Sequence, residues 1–140
     1  MTSSDIRLKK DFIELNKWEN FFMDLEPCAF KLKIDDNNKY HLGFKAQQVK
    51  DSLFNNKLRL EDFAGFVKVK YDKEECINDK KKELYEQEGI QDGDEVYSLR
   101  YTEFTALNTH MIQKNYKYIQ SLEEKVKILE EKIEKLTSNI

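Results

Sequence analysis

A heptad repeat occupies the last part of this chain and constrains the fold more than any other feature. With Ile119 at position a, apolar residues recur at alternating spacings of three and four. This spacing predicts one helix over residues 103–140, with a stripe that has to be buried against other helices. The a and d positions of this stripe, which we call the seam, are Asn108, Ile112, Asn115, Ile119, Leu122, Val126, Leu129, Ile133, Leu136 and Ile140.

The seam leaves two oligomeric states open. β-Branched residues at position a with leucine at position d favour a dimeric coiled coil. Asn108 and Asn115 at position d instead place polar groups in the seam, where they fix register and oligomer number, and asparagine at d is associated with trimers. Lys125 and Glu130 flank the seam and can pair between chains.

Composition allows one small globule before this helix. The chain has 140 residues, of which 39% are hydrophobic and 36% are charged. A charged share above the globular average is expected when a long solvated helix is included. Nine Phe, seven Tyr and one Trp can fill a small core. We therefore expect an α+β fold, in which residues 1–102 form a globule with projecting β-hairpin arms.

Charge and cysteine content argue against several classes of function. The net charge of −3 gives no broad basic field, so nucleic acid is not an expected partner. Cys28 and Cys76 are too few for a disulfide framework, and no His/Cys cluster has zinc spacing, so no cofactor is expected. Free thiols fit a reducing compartment. We predict neither a secretory signal nor a membrane span, since no apolar run approaches the required length of about 20 residues.

Short helices and two hairpins are predicted within the globule. Asn16 can cap a helix that ends before Pro27, and a second helix is predicted over residues 46–53. The apolar face of the first helix would consist of Trp18, Phe22 and Leu25. Alternating apolar and polar residues predict the strands of the two hairpins, which are 29–34 with 39–45, and 66–71 with 95–101.

A serine and a lysine near the beginning of the sequence could cooperate in catalysis. Ser4 precedes Lys9 by five positions. A neutral lysine amine can take the proton of a serine hydroxyl, and burial or the nearby cations of Arg7 and Lys10 favour the neutral amine. Ser4 would attack the carbonyl carbon of Ser3 and form an ester that water hydrolyses, while backbone N–H groups or Arg7 stabilise the oxyanion. This spacing by itself is common by chance.

Three motifs occur in order before the heptad helix. They are Ser4-Asp5-Ile6-Arg7-Leu8-Lys9, Tyr40-His41-Leu42-Gly43-Phe44-Lys45-Ala46-Gln47-Gln48-Val49 and Leu99-Arg100-Tyr101-Thr102-Glu103-Phe104. With these motifs the chain resembles the C-terminal intramolecular chaperone domain of phage tailspikes, tail fibres and neck appendages, best known from endosialidases. The domain also occurs in transcription factors of the myelin-regulatory-factor type. The resemblance covers nearly the whole chain and is weakest over residues 54–95.

The resemblance implies a homotrimer that assists the folding of an upstream β-structured client and then severs itself from it. It implies Ser4 as the nucleophile, Lys9 as its base and Ser3–Ser4 as the scissile bond. Asp5 and Arg7 would orient or polarise the reacting groups. Residence in the host cytoplasm during virion assembly, and release from the mature virion, are also implied.

His41 occupies the histidine position of the second motif, which the resemblance links to efficient cleavage. A hydrogen-bonded strand residue without a catalytic role is the alternative. The motif usually has an apolar residue where this chain has Lys45. Other functions also stay open: a trimerisation or registration module without chemistry, a coiled-coil adaptor, or the equivalent domain of a self-cleaving transcription factor. A serine hydrolase acting in trans is not expected, because the chain has no Gly-x-Ser-x-Gly motif.

Overall fold

The computed structural model describes residues 3–139 and confirms the predicted α+β fold. The chain divides into two compact units between Phe104 and Thr105. Within the described residues, the first unit contains two small antiparallel sheets and three α-helices, and the second is one long α-helix. The elements are α1 (Glu19–Asp24), β1 (Cys28–Phe30), β2 (His41–Gly43), α2 (Ala46–Asn55), β3 (Phe66–Lys70), α3 (Asp79–Gln87), β4 (Glu95–Leu99) and α4 (Thr105–Ser138).

The first predicted helix is present but begins differently. A 3₁₀ turn over Leu15–Trp18 leads into α1, so Asn16 lies inside the turn and does not cap the helix. Its side-chain amide instead donates to the Glu14 carboxylate at 3.2 Å. The tighter turn changes which side chains face inward, because it advances three residues per turn instead of 3.6. As a result Phe21 is fully buried, whereas Phe22 is only half-buried.

The two predicted hairpins are both present, with strands shorter than the alternation suggests. β1 pairs antiparallel with β2, placing Cys28 opposite Gly43 and Phe30 opposite His41. Beyond Phe30 the chain leaves the sheet and forms turns. β3 pairs antiparallel with β4 over five residue pairs. Each sheet has two strands, so each hairpin depends on packing against other parts of the first unit.

The charged stretch between β3 and β4 contains a helix that the sequence pattern did not predict. The Asn78 side chain caps α3 by accepting from the backbone N–H of Lys81 at 3.0 Å. Ion pairs also connect α3 to the turns of the first hairpin. The ammonium of Lys80 lies 3.0 Å from Asp36, and that of Lys33 lies 2.5 Å from Glu88.

The core of the first unit is largely aromatic. The rings of Phe21, Phe63, Phe104 and Phe44 follow one another with centroid separations of 5.5, 5.2 and 5.1 Å. The side chains of Val49 and Leu53 from α2 are fully buried. Because Phe44 belongs to the second motif and Phe104 to the third, two motifs far apart in sequence meet in this core.

The long helix α4 exposes its seam in the single chain. The exposed fraction is 52% for Ile119, 52% for Val126 and 62% for Ile133. Asn108 and Asn115 are exposed as well, while Ile140 lies outside the described residues. A stripe of this length buries no apolar surface by itself. None of the described helices has both the length and the apolar character needed to cross a membrane.

Candidate functional site

The first motif forms a compact turn closed by its own side chains. Asp5 caps the 3₁₀ turn Ile6–Leu8, and its carboxylate accepts a hydrogen bond from the backbone N–H of Arg7 at 2.9 Å. The Arg7 guanidinium donates to the same carboxylate through Nε at 3.0 Å and through Nη2 at 2.6 Å. Ser4 and Lys9 flank this turn on either side.

Electrostatics keep the two charged groups of this turn ionised. The side-chain hydrogen bond from Arg7, followed by the backbone hydrogen bond, lowers the pKa of the Asp5 carboxyl below its ordinary value. The same side-chain hydrogen bond raises the pKa of Arg7. In the single chain the guanidinium is therefore engaged by Asp5, which orients it within the turn.

The structure brings Asp5 and Arg7 together but does not join the proposed nucleophile to the proposed base. Ser4 and Lys9 are both exposed, and among residues 3–139 no hydrogen bond connects their side chains. The apolar residues around them are also exposed. The exposed fractions are 72% for Ile6, 73% for Leu8 and 66% for Phe12. The single chain thus leaves the first motif uncovered.

His41 is held in the first hairpin by packing. Its ring stacks on Phe30 with a centroid separation of 5.8 Å and an interplanar angle of 22°. The Nε2 atom is buried and has no hydrogen-bond partner among the described residues. In the described part of the chain, no hydrogen bond links His41 to Ser4 or Lys9. The ring faces an open cleft of about 630 Å³, which Leu42, Ser98 and Tyr101 also line.

Tyr101 closes the end of this hairpin, a role that the sequence analysis missed. Its hydroxyl accepts a hydrogen bond from the backbone N–H of Phe44 at 3.3 Å and lies 3.5 Å from the carbonyl oxygen of that residue. A Cβ atom at Gly43 would lie 2.7 Å from Cζ of Tyr101. Only glycine allows this approach without displacing the ring. The glycine at the end of a strand pattern was the available signal.

A polar network fixes the second motif to the end of α1. The Gln48 amide nitrogen donates to the carbonyl oxygen of Asp24 at 2.7 Å and contacts Ser52 Oγ at 2.8 Å. Its amide oxygen accepts from the backbone N–H of Glu26 at 3.1 Å. The neighbouring Gln47 is exposed. Gln48 therefore ties α2 to the end of α1.

A comparison with protein families identifies the segment that contains these groups. Residues 4–58 match the family described as chaperone of endosialidase. Over this segment the chain is similar to the endosialidase chaperone family. The match begins at Ser4 and includes the Asp5–Arg7 turn, His41 and the Gln48 network. No curated protein and no solved structure matched the chain.

The described part of the chain contains few other reactive groups. Cys28 and Cys76 are free and half-buried. Within residues 3–139, no group of three or more His, Cys, Asp or Glu side chains could hold a metal ion. The candidate site therefore consists of the first motif, His41 and the cleft beside it.

Proposed function

We propose that this chain is an intramolecular chaperone that forms a homotrimer and assists the folding of an upstream phage fibre or spike. It then releases itself by cleavage of the Ser3–Ser4 bond. The match of residues 4–58 to the chaperone of endosialidase family carries this proposal. That segment contains the nucleophile, the base and His41, and it lies before a helix with an uncovered apolar seam.

The exposed seam of α4 supports the trimer. Fully burying one aliphatic side chain contributes about 1.5–3 kcal/mol, so joining three helices along this stripe stabilises the assembly strongly. Ile112, Leu129 and Leu136 have exposed fractions of 69%, 57% and 69%. The asparagines at position d fix the register of the helices. The family resemblance points to three of them.

Trimerisation gives the chaperone its physical means of action. Interwoven β-structures fold slowly, because distant strands must pair before any pairing stabilises them. Joining three chains at α4 raises the effective concentration of the three attached clients. The β3–β4 hairpin presents two unpaired edges, which can cover exposed strands of the client until its own sheet is complete.

Cleavage follows from the groups on either side of the Asp5–Arg7 turn. Lys9 accepts the hydroxyl proton of Ser4, and Oγ attacks the carbonyl carbon of Ser3. The peptide C–N bond breaks, the Ser4 nitrogen takes up a proton, and an ester joins the two residues. Water then hydrolyses the ester, which leaves a carboxylate on Ser3 and restores the Ser4 hydroxyl.

Assembly of the trimer would activate this reaction. Ile6 and Leu8 lie beside Lys9 and are largely exposed in the single chain. Covering them in the trimer would exclude water from the space beside Lys9. Cleavage would then occur only after three chains have joined.

Intact mass of an upstream-extended precursor tests the proposal. The parent precursor is expected to split between Ser3 and Ser4, while Ser4→Ala and Lys9→Ala stay whole. Ser3→Ala is the matched control, since it removes a neighbouring hydroxyl and keeps both reacting groups. It should be cut like the parent. A parent that stays whole although it is trimeric would refute self-cleavage.

A trimerisation module without chemistry is the second candidate function. It is favoured by the exposure of Ser4 and Lys9 and by the absence of a hydrogen bond between them within residues 3–139. It predicts that the parent precursor and its Ser4→Ala variant remain uncut and equally trimeric. The same mass experiment therefore separates the two functions.

A further inference from the structure

We infer that Tyr101 is a positioning residue for self-cleavage and acts through the hairpin that carries His41. This inference rests on the proposed function and extends its machinery beyond the family-matched segment 4–58. Tyr101 lies after β4, whereas His41 lies in β2. The contacts that connect them are local and involve Gly43 and Phe44.

The first hairpin requires an anchor because its ladder is short. β1 and β2 have three residue pairs, and the last pair joins Cys28 to Gly43. A two-stranded hairpin of this kind is marginally stable alone. Phe44 lies just beyond the ladder, where its backbone groups need other partners. The Tyr101 hydroxyl provides one for the Phe44 N–H at 3.3 Å.

The ring of Tyr101 also packs against the aromatic core. Its ring centroid lies 6.3 Å from that of Phe104 and 6.2 Å from that of Phe44. Phe104 is 3% exposed and packs against Phe63. The hydrogen bond of the Tyr101 hydroxyl therefore connects the end of β2 to the aromatic core.

The anchored end of β2 determines where the His41 ring lies. His41 and Gly43 are two residues apart in the strand, so they share the face that is turned inward. Phe30 contacts both positions: its ring stacks on His41, and its Cε1 would lie 3.2 Å from a Cβ at Gly43. Since Nε2 of His41 has no hydrogen-bond partner among the described residues, packing orients the ring.

Tyr101→Phe tests this inference, because it keeps the ring and removes only the hydroxyl. We expect self-cleavage of the trimeric precursor to slow about three- to tenfold, as for the loss of one hydrogen bond. Tyr40→Phe is the matched control. The Tyr40 hydroxyl belongs to the same hairpin region but has no hydrogen bond among residues 3–139, so the cleavage rate should not change.

The NMR signal of the His41 ring separates positioning from a general loss of stability. The chain has two histidines, so ring-labelled protein gives two Cε1–H signals, which His41→Gln assigns. In Tyr101→Phe the ring-current shift that Phe30 imposes on His41 should shrink. Gly43→Ala, which forces the Tyr101 ring away, should produce the same spectral change and the same slowing of cleavage.

Each outcome decides the inference. Slower cleavage with a changed His41 signal in a folded trimer supports it. An unchanged rate, or an unchanged His41 signal, overturns it. If the parent precursor is not cleaved at all, the proposed function is refuted separately. The His41 signal then still decides whether Tyr101 positions this ring.

Discussion

The side-chain amide of Gln48 donates a 2.7 Å hydrogen bond to the carbonyl oxygen of Asp24, the last residue of α1. This bond satisfies a carbonyl that the short helix leaves without an intrahelical partner. Ser52 Oγ shares the same carbonyl at 3.2 Å and is almost completely buried. One glutamine of the second motif thus joins two helices of the globule.

Gln48→Ala should destabilise the first unit by about 1–3 kcal/mol, because it leaves partly buried polar groups without partners. Urea unfolding followed by circular dichroism measures the change. Gln47→Ala is the matched control, since Gln47 is the exposed neighbour in the same motif. Equal unfolding midpoints for the two variants would contradict the structural role of Gln48.

Phe104→Ala should destabilise the first unit by about 3–5 kcal/mol, as expected when a buried phenylalanine is removed from a core. Phe104 is 3% exposed and packs between Phe44 and Phe63. Phe54→Ala provides the comparison, because Phe54 is 54% exposed. Its unfolding midpoint in urea should differ little from that of the parent. A small effect at Phe104 would mean that the second and third motifs do not depend on their contact.

The triple variant Ile119→Asp, Val126→Asp and Ile133→Asp should be monomeric and uncleaved. Three carboxylates at successive a positions place charge in the seam, where burying it is costly. Sedimentation velocity measures the mass of the assembly, and intact mass measures cleavage. The control carries aspartate one position later, at Gln120, Lys127 and Glu134, and should remain a cleaving trimer. Cleavage in a monomeric variant would refute the coupling of chemistry to assembly.

Lys9→Arg should abolish self-cleavage although it keeps the positive charge. Arginine stays protonated at every accessible pH and cannot accept the hydroxyl proton of Ser4. Lys10→Arg makes the same exchange at the next position and should be cut at the parental rate. A time course of intact mass provides both rates. Retained cleavage in Lys9→Arg would exclude Lys9 as the base.

The Asp5 carboxyl should titrate below its ordinary pKa of 3.8, because Arg7 stabilises its charged form. A lowered pKa in the folded turn means that the ion pair stabilises the turn above about pH 4. This stabilisation is lost as the pH falls through the lowered value. In Arg7→Ala the pKa of Asp5 should rise, which carbon NMR of the side chain measures.

Asp62 provides an internal reference for this titration. Its pKa is also lowered by a side-chain hydrogen bond, in this case from Arg59. It should therefore be unaffected by Arg7→Ala. An Asp5 carboxyl that titrates at its ordinary value in the parent protein would show that the turn is not closed in solution.

The elements that sequence reasoning found are those whose pattern repeats within a few residues. The heptads of α4 and the alternation over residues 66–71 both depend on local spacing, and both elements are present. Helix α3 was missed because its sequence is mostly charged and offers no clear apolar face. Its supports are the Asn78 cap and ion pairs to residues far away in sequence, such as Asp36.

The same distinction applies to the candidate site. The Asp5–Arg7 pair lies within one motif, so spacing alone brings the two residues close enough to interact. The contact of Tyr101 with Phe44 spans 57 positions and depends on how the third motif packs. No spacing rule indicates such a contact. The burial of Phe21 in place of Phe22 depends on a 3₁₀ turn that the cap pattern does not reveal.

Helix α4 follows the globule in chain order, and this order has a consequence during protein synthesis. The globule leaves the ribosome first, and the apolar stripe emerges only after translation has passed the globule. A polypeptide that terminates early therefore lacks the stripe through which the proposed trimer would form. Each assembly made through this stripe would exclude truncated products, so the position of the helix sorts finished polypeptides from unfinished ones.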